Sequence, residues 1–260
     1  MSEEQQKVFL YVPCQMDLFQ AETVTSVITV LDRLGLFCHY DPESTCCGRR
    51  FFMEGEIQYA KDLGYQVIHS YTEYCDLHSK KFPVVVPDAA CAGFMRSHFD
   101  MILKNATLPS ELNNFVGNLY ELCDFIVNVL NVNYLNNVFP HRVFYFKSCA
   151  AKHLYPENNA PETLLRNTKG LDLIEDTEEK NCCCGANGRF AMLNPDTAEK
   201  MTGSIWPAPT KRRRNTSLPP TFTVFNSWTP ISSSTAWIST SSTSLIFSAA
   251  NDDVQLRIKN

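Results

Sequence analysis

No stretch of this chain is both apolar enough and long enough to cross a bilayer, and residues 1–6 (MSEEQQ) lack the basic, then apolar pattern of an export signal. Both absences set the expectation of a cytoplasmic protein with no membrane span. Positive charge is in short supply too. Against 28 aspartates and glutamates there are 23 lysines and arginines, a formal net charge of −5, and only residues 211–214 (KRRR) form a basic run. Nucleic acid is therefore not the expected partner. Glycine is scarce, at 10 residues, and none of it forms a dinucleotide fingerprint or a phosphate loop, so nucleotide or nicotinamide binding is not expected. The 6 histidines are scattered and read as surface or core residues; only His153, four positions after Cys149, is placed to face a site. No catalytic side chain stands out.

What the 260 residues do hold is cysteine, 11 in all. An odd number without an export signal makes a disulfide framework a poor explanation and favours ligand or redox chemistry. Two adjacent pairs are each followed by glycine: Cys46-Cys47-Gly48 and Cys183-Cys184-Gly185. Neighbouring cysteines make strained partners for each other, but neighbouring thiolates suit neighbouring metals of a cluster. A glycine after the pair lets the backbone turn with positive φ and pass close to an inorganic core. Cys38, Cys75 and Cys123 sit among apolar or helical neighbours and read as small buried hydrophobes.

In chain order, residues 8–12 (VFLYV) read as a buried strand delivering Cys14, and Val24, Val27, Ile28, Leu31 and Leu34 recur at helical spacing up to a stop at Gly35. Residues 36–40 read as a second strand leading to the first cysteine pair. Residues 54–80 carry a helical pattern with a break at Gly64, and the β-branched run 83–87 (PVVVP) is a third strand, delivering Cys91. This strand–helix–strand rhythm predicts an α/β fold with mostly parallel sheets. Ligands of such sheets sit beyond the carboxyl ends of the strands, so Cys14, Cys46, Cys47 and Cys91 are expected at one rim. Residues 119–130 read as an apolar helix linking this half to the next.

The second half then restarts the first. Residues 142–149 (RVFYFKSC) align with 7–14 (KVFLYVPC), and the lone cysteine precedes its pair by 34 positions where the first half has 32. Two tandem, similar lobes follow from such a repeat. The division expected is 1–118 for the first cysteine-rich module, 119–140 for the linking helix, 141–203 for the second, incomplete module and 204–260 for a divergent tail.

At these residues the chain resembles the cysteine-rich CCG-domain iron–sulfur proteins, and within them the lactate utilization protein A group; the CCG-containing component of heterodisulfide reductase and the iron–sulfur component of glycolate oxidase are relatives. The resemblance runs over about residues 5–203 and rests on Val12-Pro13-Cys14, Cys46-Cys47-Gly48, Cys91-Ala92-Gly93 with Met95-Arg96, residues 124–130 (DFIVNVL), Ser148-Cys149 and residues 181–192. It implies two α/β modules, each holding a cluster of the 4Fe–4S type through one cysteine, the CCG pair and one further cysteine. The metal ligands implied are Cys14, Cys46, Cys47 and Cys91 in the first module and Cys149, Cys183 and Cys184 in the second. Soft thiolates favour iron and sulfide, and zinc is the alternative cofactor for the same donors. The function implied is an iron–sulfur electron-transfer subunit of a cytosolic oxidase-type complex that oxidises L-lactate to pyruvate, with the other subunits of that complex as partners. The alternatives are a zinc-stabilised or apo interaction scaffold and a thiol–disulfide subunit. Arg49, Arg50 and Arg96, beside the cysteines, are candidates to offset thiolate charge or bind a carboxylate.

After about Gly203 the pattern stops in a serine- and threonine-rich tail, either a shifted reading frame or a genuine low-complexity segment. Residues 221–225 (TFTVF) imitate the strand before Cys91, but they lead to Ser227, and no cysteine follows Cys184. Cys182 is a poor substitute, because successive side chains of an extended segment alternate in direction. The second site is thus expected to be absent, labile or reduced to three cysteines.

Overall fold

In the computed structural model, residues 6–140, 142–145, 147–156, 159–175, 183, 185, 188–205 and 222–223 are described. The first half runs β1 (Gln6–Leu10), α1 (Cys14–Phe19), α2 (Ala21–Arg33), β2 (Leu36–Tyr40), α3 (Arg49–Met53), α4 (Ile57–His78), β3 (Val84–Val86), α5 (Ala89–Leu103), α6 (Pro109–Gly117), β4 (Leu119–Glu121) and α7 (Leu122–Asp124), and closes on a π-helical segment, Phe125–Val129. Its four strands form one parallel sheet in the order β2-β1-β3-β4.

Alternation along the strands divides the core into two layers. Phe9, Tyr11, Val84 and Val86 pack with Val67, Ile68 and Tyr71 of α4, Phe94 and Phe99 of α5, and Phe115 of α6. Val8, Leu10, Val12 and Val85 pack on the opposite side with Val27 and Leu31 of α2 and with Phe125 and Ile126. Helices thus cover both faces, as a parallel sheet requires.

Two sequence expectations are corrected here. Helix α4 runs unbroken through Gly64, because the glycine lies against α5: a Cβ there would meet Leu103 Cδ1 and Phe99 Cε1 at 3.3 Å. The linking helix of 119–130 begins later than expected, since Leu119, Tyr120 and Glu121 pair with Val84, Val85 and Val86 as the edge strand of the sheet. Glu121, fully buried, then accepts from the Cys123 and Asp124 amides and caps the turn that follows.

Among the described residues the second half repeats the first seven elements of the first half in order. It runs β5 (Arg142–Tyr145), α8 (Cys149–Leu154), α9 (Ala160–Arg166), β6 (Asp172–Glu175), α10 (Gly188–Leu193), α11 (Pro195–Ile205) and β7 (Phe222–Thr223), with a parallel sheet in the order β6-β5-β7. These elements correspond in order to β1, α1, α2, β2, α3, α4 and β3. The two halves are not separate bodies. Ala151 and Tyr155 complete the core layer beneath α5, and Ala160 and Leu164 of α9 join the layer of α2.

His39 of β2 stacks on Tyr74 of α4, with ring centroids 3.8 Å apart. Burial holds its pKa below the ordinary histidine value. With the folded pKa depressed, the unfolded chain takes up a proton first, so stability falls as the pH drops through the ordinary histidine range and is fully reduced below the folded pKa. The melting temperature should be lower at pH 5.5 than at pH 7.5, and by a smaller margin in His39→Phe, which keeps the stack. Equal margins would remove His39 as a source.

Candidate metal centre

The four first-half cysteines meet at the carboxyl rim of the sheet. Cys14, delivered by the first strand, is the first residue of α1, after Pro13 in extended backbone. Cys46 and Cys47 occupy the loop between β2 and α3, and Cys91 sits in the first turn of α5. Gly48 makes the turn from the pair into α3 with φ +80°, and a Cβ there would strike the Ala60 carbonyl oxygen at 2.8 Å. Only glycine meets both conditions, which gives the third letter of the motif its physical reason.

Contacts link the sulfurs in a string. Cys14 contacts Cys46, Cys46 contacts Cys47, and Cys47 donates to Cys91 with the sulfurs 3.4 Å apart. Among the described residues no three His, Cys, Asp or Glu side chains are gathered to hold a single metal ion.

Charge is shared unequally along the string. Cys46 is held well below the usual thiol range by hydrogen bonds from Cys14 and Cys47, helped by the Gly48 amide and Arg50, against the effect of burial. Cys14 is pushed up by its bond to Cys46 and by burial, and Cys47 by its bonds to Cys46 and Cys91 and by burial. Cys91 accepts from Cys47, which favours its thiolate, but burial and the Asp88 carboxylate outweigh this and leave it at about 11. One thiolate is thus ready, and a metal would have to displace the other protons.

Tyr11 and Asp88 complete the site, and neither was picked out from the sequence. Tyr11 is fully buried, feels the charge of all four cysteines, and donates from its hydroxyl to the Thr45 carbonyl at 2.8 Å. Asp88 caps α5 by accepting from the Ala90 and Cys91 amides at 3.0 and 3.2 Å, and it also bonds the Cys91 thiol. Burial raises Asp88 to about 6, against the pull of that thiol, the Ala90 amide and Arg49. A hydroxyl inside an apolar strand and an aspartate just before a helix were the signals available.

Arg96 takes no part in the string. It donates to the Tyr155 hydroxyl at 2.6 Å, and that hydroxyl donates to Asp124 at 2.7 Å. His153 is exposed, while Cys75 and Cys123 are buried and Cys38 is half-buried.

In the second half Cys149 is the first residue of α8 and is half-buried, while Cys183 is exposed, with the Gly185 amide donating to its sulfur at 3.4 Å. Gly185 has φ +69° and lies against Ala198 and Met201 of α11, as Gly48 lies against α4. Cys182, Cys184 and the tail beyond 223 lie outside the described residues. The strand register refines the ligand count, because Phe9 pairs with Val84 and the equivalent Phe144 pairs with Thr223. Seven positions on from Val84 is Cys91; seven on from Thr223 is Pro230 rather than Ser227, and neither carries a thiol.

Donors, glycine turns and repeated topology together define a duplicated cysteine-rich module. The cysteine-rich domain family CCG matches residues 8–96 and 143–204, and the chain belongs to that family. It is similar to lactate utilization protein A of Geobacillus thermodenitrificans, with 30% identity over 195 residues, 75% of this chain and 78% of the relative. The protein of the same name from Oceanobacillus iheyensis is 29% identical over 197 residues, covering 75% and 77% of the two chains. No helix among the described residues is long and apolar enough to cross a membrane.

Proposed function

We propose that the chain is an iron–sulfur electron-transfer subunit of a cytoplasmic complex that oxidises L-lactate to pyruvate. The observation that carries this reading is the convergence of Cys14, Cys46, Cys47 and Cys91 at one rim of a parallel sheet. The donor set fits the group: four soft sulfur ligands, from loops and helix starts rather than from one rigid element, suit a cluster of the 4Fe–4S type. A bound cluster would supply one-electron storage and release. The residues around it would hold it in place and keep water away, with Cys47 and Tyr11 buried beneath. The similarity to lactate utilization proteins supports lactate as the electron source and further subunits as partners.

Anaerobic purification followed by iron, acid-labile sulfide and zinc analysis tests the proposal. Iron and sulfide in comparable amounts are expected. Zinc without sulfide would replace the electron-transfer reading with a zinc-stabilised scaffold.

A further inference from the structure

The loop that presents Cys46 and Cys47 is pinned at its start, where the Asp41 carboxylate accepts from the Glu43 amide and from Ser70 of α4 and the Asp41 carbonyl accepts from the Ser44 amide. Its backbone turns from β2 into α3 across residues 41–48, and the residue directly before the pair, Thr45, is held from two sides. Its side chain donates to the Leu63 carbonyl of α4 at 3.3 Å, and its own carbonyl accepts from Tyr11 at 2.8 Å. Tyr11 follows β1, which is fixed by pairing with both β2 and β3. Its hydroxyl therefore ties the strand end to the residue before the cysteine pair, where the charge of all four cysteines bears on it. The position equivalent to Tyr11 in the second half is Phe146, which has no hydroxyl.

We infer that Tyr11 is a positioning residue of the first centre: its hydroxyl clamps the Cys46-Cys47 loop so that the sulfurs stay in place while metal is bound. The inference rests on the metal-binding reading of the four cysteines. Tyr11 need not touch the metal, and its hydroxyl has one acceptor, a backbone carbonyl that any residue at position 45 would offer. Loss of the hydroxyl leaves the ring, and with it the packing, in place. The effect falls on how long the loop holds its sulfurs in register, not on whether the chain folds.

A matched control exists in the same core. Tyr71 is also fully buried and also donates to a backbone carbonyl, that of Phe82, at 2.8 Å, but it holds the end of α4 rather than the cysteine loop. The experiment compares Tyr11→Phe, Tyr71→Phe and the parent, each in a Cys149→Ser background that excludes any contribution from the second half. Iron content after anaerobic isolation, melting temperature, and the rate of iron release to a ferrous chelator are measured. Tyr11→Phe should start with the parent's iron content and release it about fivefold faster, the factor that one hydrogen bond of ordinary net strength is worth. Tyr71→Phe should match the parent's release rate while losing at least as much thermal stability. Equal release rates for the two variants would overturn the role of Tyr11 alone. A parent that binds no iron would overturn both this inference and the metal reading beneath it.

Discussion

A Cys14→Ser variant, purified anaerobically beside the parent, is expected to lose nearly all of the iron assigned to the proposed centre. Cys14 opens the string of sulfurs that runs through Cys46 and Cys47 to Cys91, and a serine hydroxyl is a far weaker ligand for iron than a thiolate. The second half is not expected to compensate. It has Cys149, Cys183 and Cys184, and a count of seven positions on from Thr223 reaches a proline in the sequence, where the first half has Cys91. If the variant keeps half or more of the iron with an unchanged absorption spectrum, the second half holds its own cluster and the ligand count is wrong.

The largest expected loss of stability comes from Gly93→Ala. Helix α5 meets α8 at this residue so closely that a Cβ would lie 2.5 Å from the Leu154 carbonyl oxygen and 2.6 Å from its Cβ. Both are fixed parts of a helix end, so the strain cannot be relieved by turning a side chain. A cost of about 2–3 kcal/mol is expected for such overpacking, a fall in melting temperature of roughly 5–10 °C for a chain of this size. Gly117→Ala is the control: nothing lies within 4 Å of a Cβ there, and the change should be neutral or slightly stabilising. A Gly93→Ala variant that melts within a degree of the parent would show that the two helices can part without cost.

What was legible in the sequence was what a short window determines. The β-branched run of 84–86, the periodic apolar residues of α2 and the stop at Gly35 each announce their element locally. The repeated motif also fixed the parallel architecture, since the same strand, helix and strand precede both cysteine pairs. The illegible parts depend on distant neighbours. Leu119, Tyr120 and Glu121 are a strand only because β3 offers an open edge. Gly64 breaks nothing, because Phe99 and Leu103 lie over it. Arg96 looked like a partner for the cysteines by proximity in sequence, whereas its partner is Tyr155, 59 positions away. The meeting of four cysteines followed from the rule that ligands gather at the carboxyl rim. The unequal sharing of their protons did not, since it depends on which sulfur touches which.

The packing of Ala151 and Tyr155 into the first half's core also bears on how the chain is made. Domains fold as units during synthesis, at about 5–20 residues per second. This one is not a finished unit when its own last strand, β4, has emerged at Glu121. The layer beneath α5 waits for Tyr155, some seconds later at the slower rate. Until then Gly93 and Arg96 of α5 lack the neighbours they have in the folded chain, Leu154 and Tyr155. A chain that ended between Glu121 and Ala151 would thus lack part of the core its first half needs.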